Sequence, residues 1–347
     1  MLLLSYWCDP LRLVFLGTAA STSTAKARLQ SVLLQTDDGE LILFDTGEDV
    51  QRGFEDAKIK LNKPLSIFIT HMHGDHVIGL PGLLFRLGSF NRSKEVEIFG
   101  PKGIFFYLLA HRLTVSLVTS FPIKVTEVDL ATKTLLEYPL LDENFTLENI
   151  ENKLLKKEIK DNIIKIDGNF SIEALAADHT TVQSFSFIFK EAPLPGKFDP
   201  EKANALKIPR GHLWGKMQKG QVIRLKDGRV IDPVKEGIVG PPRRGRIVVL
   251  SGDTRPTAAI ARCLKENQVD LLVHEATYTN ELQEMAFDRK HTTIEEACRL
   301  AKEGNVLKLA LTHFSIRYLD DLKSIEDVAR SNFEGAIVAR DNLVIDL

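Results

Sequence analysis

Ser66-Ile67-Phe68-Ile69-Thr70-His71-Met72-His73-Gly74-Asp75-His76 is the stretch that decides the fold. Five residues, mostly apolar and β-branched or aromatic, have the character of a buried strand. They run straight into three histidines and an aspartate. A strand alternates faces at every residue, so His71 and His73, two apart, are expected to point the same way. Gly74 is expected to give the tight turn that swings Asp75 and His76 beside them. A lone histidine is usually a satisfied structural residue. Here three of the chain's nine histidines share six residues with an aspartate. Imidazole and carboxylate donors without thiolate suit zinc, with manganese or iron as alternatives. The absence of cysteine points to a catalytic rather than a structural site.

Outward from this cluster the strand signals recur on both sides. Leu11–Leu16, Ser31–Thr36 and Leu41–Asp45 precede it, the last two joined by an Asp37-Asp38-Gly39 turn that reads as a hairpin. A short helix is expected over Val50–Ala57. Beyond the cluster come Gly79-Leu80-Pro81-Gly82, then an apolar helical run through Phe90, a strand Val96–Gly100 and a helix Lys102–Ser116. Residues 131–168 are rich in Asp, Glu, Lys and Asn and read as a surface excursion with some helix. Strands return at Ser171–Ala176, Ser184–Lys190, Ile247–Ser251, Leu271–His274 and Leu307–Thr312, with a helix at 293–303 and a strand-like Leu343–Ile345. This order predicts an α/β fold of two mixed sheets packed between outer helices.

The chain has 347 residues, 44% of them apolar and 27% charged, with a net charge of −2. That is enough apolar material for a sizeable core, and it excludes global electrostatic capture of nucleic acid while leaving room for a local basic patch. Three widely spaced cysteines, at 8, 263 and 298, spell neither a disulfide framework nor a CxxC site, which fits a reducing cytoplasm. Met1–Trp7 is apolar but too short and lacks the basic flank of a signal peptide or membrane span.

His71-x-His73-x-Asp75-His76 after an apolar strand resembles the signature of the metallo-β-lactamase superfamily. More narrowly, the chain resembles the ribonuclease Z family of transfer-RNA 3′-processing endonucleases, in its short form. The likeness runs through Phe15-Leu16-Gly17-Thr18, Phe44-Asp45-Thr46-Gly47-Glu48, Gly79-Leu80-Pro81-Gly82, Phe99-Gly100-Pro101 and Ser251-Gly252-Asp253-Thr254. It ends with His274-Glu275-Ala276-Thr277 and Leu311-Thr312-His313-Phe314-Ser315-x-Arg317-Tyr318. It implies a four-layer αββα fold over residues 1–347, with further metal ligands at His179, Asp253 and His313. One metal would take His71, His73 and His179, and the other Asp75, His76 and His313, with Asp253 bridging. Two zinc ions per subunit would then give a centre with net positive charge, suited to a phosphodiester.

The same resemblance implies a reaction. A metal hydroxide would attack the phosphodiester of precursor tRNA, remove the 3′ trailer and leave a 3′-hydroxyl. Asp75 would orient the water and take its proton. His291 would be the general acid for the leaving oxygen, oriented by Glu275, while His274 reads as support. Residues 194–220 resemble the family's flexible RNA-binding arm. They carry Lys197, Lys202, Lys207, Arg210, Lys216 and Lys219 against Asp199 and Glu201. Lys207, Arg210 and Lys216, with Lys26 and Arg28 near the start, are the candidate phosphate contacts. Arg210 and His212 stand where the family usually has prolines, and Ala19 where it has glycine. A homodimer, and no membrane, are further implications. The competing readings are a superfamily hydrolase of small substrates, whether phosphodiesterase or arylsulfatase-like, and a non-catalytic RNA-binding scaffold.

Overall fold

The computed structural model describes residues 11–347 apart from positions 143, 149, 151 and 152, so the expectations for Met1–Trp7 and Cys8 fall outside the described residues. β1 (Arg12–Gly17), β2 (Ser31–Gln35) and β3 (Leu41–Phe44) form an antiparallel meander. β4 (Leu65–Phe68), β5 (Val96–Gly100) and β6 (Ile123–Asp129) then run parallel to β3. β7 (Thr134–Glu137) and β8 (Leu155–Glu158) add antiparallel edge strands. After β9 (Ile163–Asp167), β10 (Phe170–Ala176) and β11 (Phe185–Glu191) come the short β12 (Ile223–Arg224) and β13 (Val230–Ile231), which pair only with each other. β14 (Ile247–Leu250), β15 (Leu271–Glu275), β16 (Leu309–Thr312) and β17 (Ala336–Val338) are parallel, and β18 (Val344–Asp346) returns to β1. The result is a nine-stranded sheet ordered β18-β1-β2-β3-β4-β5-β6-β7-β8 and a seven-stranded one ordered β17-β16-β15-β14-β11-β10-β9.

Both faces of the parallel strands are covered, and the sequence follows from that. Leu65, Ile67 and Ile69 pack with Leu41, Leu43, Leu80, Leu84 and Phe105 on the helical side of the first sheet. Phe68 turns the other way, onto Phe44, Phe99 and Phe187, with ring centroids 4.9–5.6 Å apart. Leu272, Leu309 and Leu311 pack under the helices Ala258–Glu266, Ile294–Glu303 and Leu322–Asn332. The order of layers is therefore helix, sheet, sheet, helix.

Two expectations change. Residues 131–168 are not chiefly an excursion, since they supply β7, β8 and β9. Their charge reads as loop because β8, Leu155-Lys156-Lys157-Glu158, is exposed throughout, as suits a sheet edge that must not pair further. The strand before the histidine cluster also ends at Phe68 rather than Thr70.

The chain divides into two compact units. Among the described residues, the larger comprises those within 11–165, 172–189 and 247–347, and the smaller 166–171 and 190–246. The smaller unit contains residues 194–220 and continues to Arg246. It is not a bare loop. Helices Pro200–Ala205 and His212–Gln218 and the β12–β13 pair enclose Ala203, Ile208, Met217, Ile223, Ile231 and Ile238, with Phe198 and Trp214 packed alongside. Asp199 caps the first helix by accepting from the backbone N–H groups of Glu201 and Lys202. Among the described residues no helix is long and apolar enough to cross a membrane.

Candidate metal centre

The candidate ligands gather beyond the C-terminal ends of parallel strands, where open α/β sheets place their sites. Asp45 follows β3, His71 and His73 follow β4, Asp253 follows β14, Glu275 closes β15 and His313 follows β16. Asp75 and His76 lie on a one-turn helix, Gly74–Val77, and His179 on the loop after β10. The turn at Gly74 does not depend on its being glycine. Its φ is not positive, and a Cβ there would meet nothing within 4 Å. The glycine that matters is Gly47, where a Cβ would lie 2.5 Å from Leu29 Cβ and 2.7 Å from the Asp75 carbonyl oxygen. Asp45 and His313 hold positive φ of 59° and 60°, conformations costly for non-glycine residues and concentrated at functional sites.

The donor atoms converge. His71 Nε2 is 3.0 Å from His73 Nδ1, which is 3.2 Å from His179 Nε2. Asp75 Oδ2 is 3.8 Å from His76 Nε2 and 3.6 Å from His313 Nε2. Asp253 Oδ2 lies between the two groups, 3.3 Å from His76 Nε2 and from His313 Nε2, and 3.9 and 4.0 Å from those of His71 and His179. His71, His76 and Asp253 are fully or almost fully buried.

The outer nitrogens explain why these histidines face inward with lone pairs. His76 Nδ1 donates to Asp45 Oδ2 at 2.8 Å. Thr70 Oγ1 donates to the same carboxylate and so accepts from His71 Nδ1 at 2.9 Å. His179 Nδ1 donates to the Lys290 carbonyl at 3.1 Å. Thr277 Oγ1 donates to Glu275 Oε2 at 2.6 Å and accepts from His313 Nδ1 at 2.9 Å. A carboxylate or carbonyl can only accept, so each of these rings, in its neutral form, carries its proton on Nδ1 and turns a bare Nε2 toward Asp253. This is the outer hydrogen bonding that orients metal-binding imidazoles.

A divalent cation fits this set. The Nε2 atoms of His76 and His313 are buried without a hydrogen-bond partner, a costly state unless something electron-poor sits before them. Burial, reinforced by neighbouring histidines, holds the pKa of His71 well below the usual imidazole range. Burial likewise lowers those of His73 and His179. Burial also disfavours the charged form of His76, but Asp253 and Asp45 outweigh it and raise its pKa well above normal, so the field that draws a proton to this ring would equally favour a cation in the proton's place. Burial would raise the pKa of Asp253, yet His313 and His76 drive it far down. A buried carboxylate that stays ionised, among imidazoles offering lone pairs, favours added positive charge at its centre.

Beside these donors sit His291 and Glu275, the candidate acid pair. His291 Nδ1 donates to Glu275 Oε1 at 2.8 Å, and His291 lies 4.0 Å from Asp253. Glu275 is held by backbone N–H groups of Thr254, Thr277 and Thr292. Burial opposes charge on His291, but Glu275 prevails and its pKa is pushed up to about 9. The loop carrying His291 is clamped by Arg255, which donates to the His291 carbonyl at 2.6 Å and pairs with Glu296. His274 is fully buried, its Nδ1 directed at the Glu275 carbonyl.

The candidate phosphate contacts fare unequally. Lys207, Arg210 and Lys216 are exposed on the smaller unit, Arg210 over the Trp214 ring at 5.2 Å. Lys26 is exposed and paired with Asp320. Arg28 departs from the expectation. Its guanidinium donates to the Leu16 carbonyl, Asp56 and Asn342, and its side chain is only 12% exposed. It braces the loop, because each of its three nitrogens donates to an internal partner. Asp45, Thr70, Thr277 and Arg255 are the positions to which the sequence reading assigned no role. Asp45 alone carried a signal, a carboxylate directly after a buried strand.

Solved structures share this fold. The short form of human tRNase Z superposes with a TM-score of 0.61 at 22% identity, covering 97% of this chain and 99% of that one. The metallo-β-lactamase fold protein YhfI from Bacillus subtilis gives 0.62 at 16% identity, covering 98% of this chain and 100% of that one. Fold and site together define a metal-dependent enzyme of the metallo-β-lactamase fold. Sequence relatives narrow it. Proteins named Ribonuclease Z from Nitrosopumilus maritimus and Bacillus subtilis are each 34% identical, over 337 and 341 residues, covering 97% of this chain and 100% and 99% of theirs. Residues 11–194 match the sequence model of the family described as Anti-Pycsar protein Apyc1. The chain belongs to the ribonuclease Z family over 97% of its length and, through residues 11–194, to the Apyc1 family as well, and it is a metal-dependent endoribonuclease.

Proposed function

We propose that this enzyme removes 3′ trailers from precursor tRNA and leaves a 3′-hydroxyl on the tRNA. The observation that carries the reading is the acid pair set against the Asp253 donor cluster, in a chain whose full-length relatives are named Ribonuclease Z. His71, His73 and His179 would hold one ion, Asp75, His76 and His313 a second, with Asp253 between them. Imidazole and carboxylate donors favour zinc over manganese or iron. Two bound zinc ions would supply positive charge for the scissile phosphate and make water ionisable near neutral pH.

The chain's own groups do the rest. Asp75, whose Oδ2 accepts from the Ser21 N–H at 2.8 Å, would hold the attacking water and take its proton. His291, protonated and anchored through Nδ1, has Nε2–H free to protonate the departing oxygen. Glu275 keeps that ring charged and oriented. Lys207, Arg210 and Lys216, within the arm 194–220, and Lys26 are available to hold RNA phosphates. A homodimer belongs to the same reading and rests on family likeness, and a cytoplasmic site of action rests on the three widely spaced cysteines.

The test is cleavage of precursor tRNA with both ends mapped, with and without chelator, beside a small chromogenic phosphodiester. A single cut at the 3′ side that needs metal is the expected result. Activity on the small ester alone would overturn the RNA reading. His291→Ala should keep its metal content and lose about 10²–10⁴-fold in turnover. Unchanged turnover would remove His291 from the reaction.

A further inference from the structure

Thr277 is fully buried and sits where two groups of donors meet. Its hydroxyl is 2.6 Å from Glu275 Oε2, 2.9 Å from His313 Nδ1 and 3.2 Å from His291 Nδ1. A hydroxyl has one proton to give. Glu275 also takes N–H groups on both oxygens, from Thr254 and His291 on Oε1 and from Thr277 and Thr292 on Oε2, so it is an acceptor throughout. The Thr277 proton therefore goes to Glu275. The oxygen is left with lone pairs only, and His313 Nδ1 must be the donor to it. That fixes the proton of His313 on the outer nitrogen and leaves Nε2, buried and without a partner, as a bare lone pair 3.3 Å from Asp253. The second lone pair of the hydroxyl is within reach of the N–H that His291 gives chiefly to Glu275 at 2.8 Å.

We propose that Thr277 is a positioning residue that ties the acid pair to the metal-binding set, its single hydroxyl fixing both the tautomer of His313 and the aim of Glu275. This deepens the reading given above and rests on it for the roles of His313 and His291. The threonine touches neither substrate nor metal. It acts because the same carboxylate that aligns the acid also dictates, through one hydroxyl, which nitrogen His313 presents inward. Outer contacts of this kind are typically worth 10–100-fold in metal affinity. Two consequences follow from one side chain: weaker binding of one metal equivalent, and a slower chemical step even when metal is saturating.

The experiment uses the full-length protein loaded with zinc. In the wild type, nitrogen-edited NMR of the histidine rings should show the His313 proton on Nδ1. A proton on Nε2 overturns the proposal without any variant. Thr277→Val should weaken one of two zinc equivalents by about 10–100-fold in chelator competition, and at saturating zinc lower kcat with KM little changed. Thr277→Ser keeps the hydroxyl and should restore both. Zinc affinity and the His313 signal unchanged in Thr277→Val, or a folded Thr277→Ser that behaves like the valine variant, would overturn it. Should Thr277→Val fail to fold, the wild-type tautomer and the serine variant still decide. The ring signals and zinc affinity need no RNA, so a protein that cuts no precursor tRNA would refute the substrate while leaving this assignment standing.

Discussion

In the larger unit, His71, His76 and Glu275 are at most 2% exposed, and each is held by at least one named partner. In the smaller unit, Lys207, Arg210 and Lys216 stand in solvent on a small apolar core. Both regions are built from charge, but the charge does different work. Buried donors can be aimed only if every remaining valence is satisfied, which is why Asp45, Thr70, Thr277 and the Lys290 carbonyl stand behind them. Exposed cations need no aiming. They act through field and number, and each is nearly independent of the next. A substitution in the first region should therefore propagate through shared partners, whereas one in the second should subtract a small, additive amount.

The sharpest break comes at Asp253, whose Oδ2 lies within 4.0 Å of five imidazole nitrogens, four of them the Nε2 atoms of candidate ligands. Asp253→Ala should remove bound metal, measured by elemental analysis, and lower precursor cleavage by about 10³-fold or more, as expected when central electrostatic stabilisation is lost from a closed site. Full metal content in that variant would contradict a bridging position. Asp45 comes next. It contacts none of the Nε2 donors directly, yet it fixes His76 and, through Thr70, His71. Asp45→Asn keeps the shape and loses the charge, and should cost about 10–100-fold in metal affinity. If affinity is unchanged, the outer hydrogen bonds are not what aims the rings.

The same contrast explains what could be read from sequence. The His71–His76 cluster was legible because four donors share six residues directly after an apolar strand. His179, Asp253 and His313 are single polar residues after single strands, and only likeness to a family singled them out. Local pattern carries no distance between positions 75 and 313, which the two sheets bring to 3.6 Å. Asp45 stood in a quoted motif without a role, because its partner His76 is 31 residues away and across a strand pair. The helices Ala258–Glu266 and Leu322–Asn332 went unread although Ile260, Cys263 and Leu264, and Ile325 and Ala329, carry helical spacing. Arg28 was misread because a guanidinium looks alike in sequence whether it meets phosphate or braces a loop. The core of the smaller unit was missed because Ile208 and Met217 are isolated apolar residues until Ile223 and Ile231 fold onto them.

The smallest effect should come from the exposed face. Replacing Lys207, Arg210 and Lys216 together by alanine removes three cations that have no buried role, although Arg210 also lies over Trp214. If each contacts one phosphate, the dependence of log KM on log salt should flatten by about 0.7 per residue, or roughly two in total. At moderate salt that corresponds to a rise in KM for precursor tRNA on the order of tenfold, built from near-equal single steps. Turnover at saturating RNA and hydrolysis of a small phosphodiester should stay at wild-type levels, because neither needs these charges. An equal loss on the small ester would mean that the substitutions had damaged the centre itself. A steep loss from one residue alone would mean that the exposed face, like the buried one, depends on aim, and the contrast between the two regions would collapse.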